Sequence, residues 1–403
     1  MRKICFFIMS GLPIPAVKGG AIETLLQILI DKNEVYHDFD ITVLSAGDDK
    51  AEELSKKYKH TTFVYFQKTP LDRVYSMISR GIYRLCRVPL PHSVGCYQAL
   101  RYLKRHQDFD LLVNETWKVY LSPLLAKVFP KERILTHIHR KGEEKKGDIT
   151  RRIDKSIGYL ISVSDFISND WCTITGRSAD KAFVLKNCCN TEAFQTKISE
   201  EEKRELKRAL GIRDDAVVLI FAGRITAEKG VKELLYAIQR VPVDNLHLLI
   251  VGGAQDDSQT DYEKEIDTIV KKLTCPVTRL GYVDNAKMYQ FYALADIATI
   301  PSVCPDAAPL TVIEAMTAGV PVLTTNMGGI PEYACDGAAI RVNADDCLVE
   351  NLASNIQRLA TDKALRNKMS NCAAKQALLF TPDHYYSDFC KIIKHVEDID
   401  INI

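Results

Sequence analysis

Two cations stand five positions apart in Gly223-Arg224-Ile225-Thr226-Ala227-Glu228-Lys229-Gly230, directly after the apolar run 217–222. A guanidinium offers a planar fork of donors and an ammonium a point charge; together they suit the oxygens of a diphosphate. Two carboxylates stand eight positions apart farther on, Asp306 and Glu314, flanking Ala307-Ala308-Pro309-Leu310. The run 310–318 reads as a buried helix ended by Gly319. Asp306 then falls in the loop before that helix, where it can accept sugar hydroxyls, and Glu314 sits within the helix, where it can reach a ribose. Glu314 lies between Val312-Ile313 and Ala315-Met316, and a charge in so apolar a stretch needs a partner.

Two glycine pairs complete the set. Gly19-Gly20-Ala21-Ile22-Glu23 follows the first apolar run and opens a helix, and Gly328-Gly329-Ile330-Pro331-Glu332 follows the run 320–325. Glycines at a helix start let backbone come close to a ligand, and the free N–H groups there attract phosphate.

All four clusters sit at strand-to-helix junctions. Apolar runs predict strands at 3–9, 41–45, 63–66, 111–114, 133–139, 159–163 and 182–186. A second series covers 216–222, 246–252, 277–280, 297–300, 320–324 and 339–342. Helix-like runs alternate with them, which implies βαβ units and parallel sheets covered on both faces. In such sheets ligands bind beyond the carboxyl ends of the strands, where the clusters fall. A polar, helix-forming stretch at 196–213 precedes a fresh strand and sets a boundary: a first domain at 1–192 and a second at 193–381. Pro382 with Thr381 before it opens a last helix whose Tyr386, Phe389, Ile392 and Ile393 need a surface to cover on the first domain.

The bulk composition fits this reading. A chain of 403 residues exceeds one core, and 46% hydrophobic with 26% charged residues is the profile of a soluble globular protein. Lys plus Arg number 53 against 52 Asp plus Glu, which argues against a general nucleic-acid binder. The N-terminal run 4–9 is short, is broken by Ser10-Gly11-Leu12-Pro13 and precedes no small-residue cleavage site. It reads as a buried strand, not a signal peptide. No stretch approaches the ~20 apolar residues of a membrane span. The 12 cysteines are scattered, several inside apparent strands and helices (Cys5, Cys304, Cys390). That suits reduced thiols and a cytoplasmic setting, and neither Cys188-Cys189 nor any other pair has zinc-ligand spacing.

In this order and spacing the four clusters resemble the retaining glycosyltransferases of the GT-B fold, in particular glycosyltransferase family 4. Smaller matches support the resemblance along nearly the whole chain: Val163-Ser164-Asp165, Lys186-Asn187 with Phe194 beyond, Val251-Gly252-Gly253 and Leu280-Gly281-Tyr282-Val283. The opening 12–20 is similar to members that build bacterial surface polysaccharides and to a spore-coat relative. The resemblance implies an α/β chain of two Rossmann-like domains, their parallel sheets facing across a cleft, with the helix at 382–403 packing back on the first domain. It implies a nucleotide-sugar donor, a UDP-sugar by preference. Arg224 and Lys229 then neutralise the departing diphosphate, Glu314 binds the ribose and Asp306 touches the transferred sugar. Donor contacts come from Gly19, Gly20, Gly223, Gly252, Tyr282, Val283, Ala307, Ala308 and Leu310. The family also places a histidine near the donor sugar. His137 and His139 compete here, and His139, at the carboxyl edge of its strand, is preferred. Asp306 stands where the family usually has Glu, and Asn187-Cys188-Cys189-Asn190 replaces its usual Asn-Gly-x-Asp.

Fixed cations aimed at a leaving diphosphate lower the barrier without a metal or other cofactor. Asp38-Phe39-Asp40 and Asp108-Phe109-Asp110 match a metal-binding Asp-x-Asp, but both precede strands, at the wrong sheet edge. Between Lys68 and Arg105 the charges are Lys68, Arg73, Arg80, Arg84, Arg87, Arg101, Lys104 and Arg105 against Asp72, interleaved with apolar residues. A basic amphipathic helix of that kind lies on anionic lipid. It predicts peripheral contact with the inner face of the membrane and a glycan or polyprenyl-diphosphate-linked acceptor. The competing readings are a sugar-nucleotide epimerase of the same fold and a coat or scaffold relative that has lost catalysis.

Overall fold

The computed structural model describes residues 1–9, 11–86, 89–115, 118–142, 147–253 and 260–401. The chain divides into two compact units, Met1–Asn187 with Pro382–Ile403, and Cys188–Thr381.

The first unit is built on a seven-stranded sheet: β1 (Arg2–Ile8), β2 (Phe39–Ala46), β3 (Thr61–Phe66), β4 (Leu111–Asn114), β5 (Ile134–Ile138), β6 (Tyr159–Ser162) and β7 (Ala182–Val184). Its order is β3-β2-β1-β4-β5-β6-β7. Ile4 pairs with Ile41 on one side and Leu111 on the other, both in parallel register. Residues 4–8 are buried whichever way they point, so β1 reads as a continuous apolar run. The run is a core strand.

The helix Pro382–Ile401 belongs to this unit. Its Phe389 ring lies 5.9 Å from Phe6 and 5.8 Å from Phe39, while Tyr386 stacks on Tyr36 at 5.4 Å. The Tyr386 hydroxyl donates to Asp38 at 2.9 Å, which ties up one carboxylate of the first Asp-x-Asp. In the second, Asp110 accepts from the Lys3 backbone at 2.8 Å and Asp108 pairs with the Lys3 ammonium at 2.8 Å. Both motifs lie at the amino ends of β2 and β4.

The basic stretch is two helices, not one. Asp72–Cys86 and Val94–Arg105 are separated by a segment containing Pro89 and Pro91, neither of which continues a helix. Arg87 lies outside the described residues. The first helix exposes Val74, Met77, Ile78 and Leu85 along with Arg73, Arg80 and Arg84. Cys304, expected within a regular element, lies in an exposed loop after a strand.

The second unit carries β8 (Val217–Ala222), β9 (Leu246–Val251), β10 (Val277–Gly281), β11 (Ile297–Ile300), β12 (Val322–Thr325) and β13 (Ala339–Val342), in the order β10-β9-β8-β11-β12-β13. Residues of β8 alternate between two cores. Val218 and Ile220 enter one, with Met316 and Ile330; Val217, Leu219 and Phe221 enter the other, with Leu234 and Leu352. Each such side chain contributes roughly 1.5–3 kcal/mol by leaving water, so truncating Leu219 to Ala would cost about 2–5 kcal/mol. The order reverses at β8, which has β9 on one side and β11 on the other. The crevice beyond that reversal is where an open α/β sheet holds its ligand.

Candidate functional site

In the second unit, three loops meet beyond the carboxyl ends of the strands. The loop after β8 holds 223–230, the loop after β11 holds 301–309, and the loop after β12 holds 326–329. Backbone bonds stitch them together. Val303 N donates to Glu228 O at 3.0 Å, and Gly329 N donates to Asp306 O at 2.7 Å. Asp306 and Gly328 form a parallel bridge. The Thr325 hydroxyl donates to Ser302 O at 2.7 Å, fixing the second loop to the third strand end.

Glycine is required where these loops touch one another and where the end of β9 meets the first of them. Gly328 has φ +65°, and a Cβ there would lie 2.4 Å from the Asp306 carbonyl oxygen. Gly252 has φ +137°, and a Cβ would lie 1.8 Å from the Gly223 carbonyl oxygen. Both are left-handed conformations at backbone contact, so a side chain is excluded twice over.

Within this frame the ammonium of Lys229 forms an ion pair with Asp306 Oδ2. Their side chains are 24% and 15% exposed, so the pair is shielded on most sides but open to one. Arg224 is placed differently. Its guanidinium is 71% exposed and pairs with Glu228 one turn on, at 2.9 Å. The two cations are thus committed to different carboxylates in this structure. Ala308 and Leu310 pack against the core beneath, Val283 does the same after β10, and Tyr282 stands half exposed beside it.

The helix Leu310–Thr317 follows Asp306 directly. Pro309 precedes it and supplies no side-chain cap, so its first-turn amides carry the positive end of the helix dipole. Glu314 is buried on this helix, and its partner is the Tyr292 hydroxyl, which donates to Oε2 at 3.1 Å. Burial raises the Glu314 carboxyl to about 7, against the lowering effect of the Tyr292 bond. The apolar flanks of Glu314 announced a partner; which residue it is comes only from the fold, since Tyr292 lies on a separate helix, Met288–Leu294.

In the first unit the corresponding carboxyl edge holds a different cluster. β5 ends at Ile138, and His137 and His139 both turn toward Glu115, which directly follows β4. His137 Nδ1 donates to Glu115 Oε1 at 2.8 Å, and His139 Nε2 lies 3.3 Å from the same oxygen. Burial pushes the Glu115 carboxyl up, but the imidazoles beside it, His137 foremost, outweigh that and hold it at about 2. The carboxylate is charged at neutral pH. Burial and the neighbouring His137 lower the His139 pKa. The competition between the two histidines resolves into a shared cluster: His137 is buried at 2% exposure, and His139, at 13%, is its more open member. Gly19 and Gly20 lead into the helix Ala21–Tyr36, with the Glu23 carboxylate directly beside Gly20.

Glu115 was not singled out from the sequence. The available signal was an acid directly after a fully apolar strand, at the edge where ligands bind. Among the described residues, Glu115, His137 and His139 form the group whose ligand atoms could converge on one ion, all within 4.8 Å of one another. Both imidazoles contact the same Glu115 oxygen, and His137 Nε2 is buried without a hydrogen-bond partner.

Residues 202–376 match the family model of glycosyl transferases group 1. The lipopolysaccharide 1,2-N-acetylglucosaminetransferase of Salmonella typhimurium is 25% identical, over 90% of each chain. Spore coat protein SA of Bacillus subtilis is 23% identical, over 93% of this chain and 94% of that one. Among solved structures, Anabaena HepE in complex with UDP-glucose is similar with a TM-score of 0.74 and 20% identity, covering 98% of this chain and 100% of that one.

Proposed function

We propose that the chain is a glycosyltransferase of group 1 with the GT-B fold, and that it moves a hexosyl unit from a UDP-sugar to a glycan acceptor with retention at the anomeric carbon. The observation that carries this reading is Lys229. A mostly shielded ammonium stands beyond the reversal point of the sheet, beside a carboxylate and a helix start without a side-chain cap. A nucleoside diphosphate gains negative charge as its glycosidic bond breaks, and a fixed cation and helix amides aimed at that charge stabilise the transition state. Lys229 and Arg224 supply the positive charge, so the mechanism uses no metal. Asp306, held from behind by Gly328 and Gly329, presents its carboxylate to the sugar hydroxyls. Glu314 accepts from the ribose.

The UDP preference is supported by solved neighbours that hold UDP and UDP-glucose. A glycan acceptor is supported by the lipopolysaccharide transferase among the relatives. The acceptor is a surface-polysaccharide precursor, glycan or polyprenyl-diphosphate-linked, met at the cytoplasmic face of the membrane. The helix Asp72–Cys86, which exposes apolar and cationic side chains together, makes a peripheral contact there.

A thermal-shift screen against UDP, GDP, dTDP and ADP tests the donor. Binding stabilises the native state by RT ln(1 + [L]/Kd), so UDP should give the largest shift. A larger shift with another base would overturn the UDP assignment.

A further inference from the structure

The first unit contains a cavity of about 530 Å³, within the ~300–1,000 Å³ range of small-molecule sites. It opens beyond the carboxyl ends of β1 to β4, where Met9, Ala46 and Phe66 form an apolar floor. The rim is cationic. Lys68, Arg73, Arg80 and Lys118 line it together with His92, and among the described lining residues the one carboxylate is Asp72. Four cations less one carboxylate leave +3 with the imidazole neutral.

Asp72 does not cancel that charge by pairing with it. Its Oδ1 accepts from Val94 N at 2.9 Å and from the Thr69 hydroxyl at 3.2 Å, and its Oδ2 accepts from Thr69 N at 3.1 Å. The carboxylate joins the starts of the two basic helices. Arg80 makes one bond to the Ser76 carbonyl through Nε, at 3.1 Å, which leaves its terminal nitrogens for a ligand. One further feature points into the same space. Ser93 caps the helix Val94–Arg105, whose positive end faces the cavity through Ser93 and Gly95. Burial lowers the Lys118 pKa to about 8.

We propose that this cavity binds the acceptor through a phosphate or diphosphate group, held by Arg73, Arg80, Lys68 and Lys118 over the apolar floor. The assignment rests on the glycosyltransferase reading and narrows it: the acceptor is anionic at the end that enters the first unit. A diphosphate on a lipid anchor and a phosphate on a soluble sugar share this chemistry.

The test is a calorimetric titration of inorganic pyrophosphate into the full chain with the donor site filled by saturating UDP. The preceding UDP titration reports on the donor reading by itself, so failure of one leaves the other measurable. The proposal expects a second, salt-sensitive binding event that weakens roughly tenfold or more in Arg73→Gln with Arg80→Gln, as for loss of a charge-assisted hydrogen bond. Both replacements are on exposed positions, and circular dichroism checks that the variant folds. Absence of the second event, or an event of unchanged affinity in the double variant, overturns the proposal. Competition then separates the two sources: displacement by geranyl diphosphate in preference to glucose 1-phosphate assigns a lipid-borne group, the reverse order assigns a soluble sugar phosphate, and displacement by neither overturns the site.

Discussion

Lys229 reaches Asp306 across 77 positions of sequence to form an ion pair beyond the carboxyl ends of β8 and β11. The loops carrying the two residues are joined by the bond from Val303 N to Glu228 O and by Gly230, where a Cβ would lie 1.9 Å from the Pro301 carbonyl oxygen. The pair therefore sets the position of a cation and of a carboxylate at once. Asp306→Asn should reduce kcat/KM by roughly 10- to 100-fold, since hydrogen bonds to a charged acceptor contribute about 1.5–3 kcal/mol. Asp306→Glu lengthens the side chain by one methylene in a close-packed loop and should change the preference between two donors that are epimers at one hydroxyl. An unchanged donor ratio in both variants, with lowered thermal stability, would reduce Asp306 to a structural anchor.

Arg224 is held differently, and the difference is testable. Its pair with Glu228 is exposed, and such pairs contribute about 0–1 kcal/mol. Glu228→Gln should leave turnover within a few-fold of the parent, whereas Arg224→Ala should lower it by roughly 10²–10³-fold. Steady-state kinetics on the two variants checks this. Equal losses in both would mean that the ion pair, not the guanidinium, carries the effect.

The buried Glu314 predicts a dependence of stability on pH. Burial raises its pKa from the ordinary 4.5 to about 7. Between those values the folded chain keeps a proton that the unfolded chain has released. Stability from this group is therefore full below about 4.5 and falls as the pH rises through 7. The loss amounts to at most about 3 kcal/mol, at ~1.4 kcal/mol per pH unit. Denaturant unfolding from pH 5 to 8 should show this decline in the parent and a flatter profile in Glu314→Gln. Parallel profiles would contradict it.

Most of the fold was legible in the sequence. Each of the thirteen strands predicted from apolar runs is found, with ends displaced by up to two residues. The reason is physical: parallel strands covered on both faces must be continuously apolar, as β1 and β8 are. The basic segment was misread because charge alternating with apolar residues persists through Pro89 and Pro91, and the periodicity hides the break. Arg224, Lys229 and Asp306 lie beyond strand ends as their sequence positions predict, but their pairing was not legible. Arg224 and Lys229 look alike as cations after a strand, yet one points to solvent and the other to Asp306. Glu115 and Tyr292 were missed because their significance arises only from neighbours 22 positions away in each case.

Peripheral contact of the helix Asp72–Cys86 with lipid should be measurable by vesicle co-sedimentation. Leu85 is 85% exposed there, next to Arg84. Binding to anionic vesicles should fall as salt shortens the Debye length below ~8 Å, and Arg84→Gln with Leu85→Ser should weaken it further. Binding that ignores both salt and the double replacement would return this face to plain solvent.

The central claim, that Lys229 stabilises a departing UDP without a metal, is tested most directly by one assay. UDP release is followed continuously from UDP-glucose, UDP-galactose and UDP-N-acetylglucosamine, in EDTA, for the parent and Lys229→Ala. The account predicts release from at least one donor, undiminished by EDTA, and a fall of roughly 10²–10³-fold in the variant. Release abolished by EDTA and restored by Mg²⁺ or Mn²⁺, or near-parental turnover in Lys229→Ala, would contradict it.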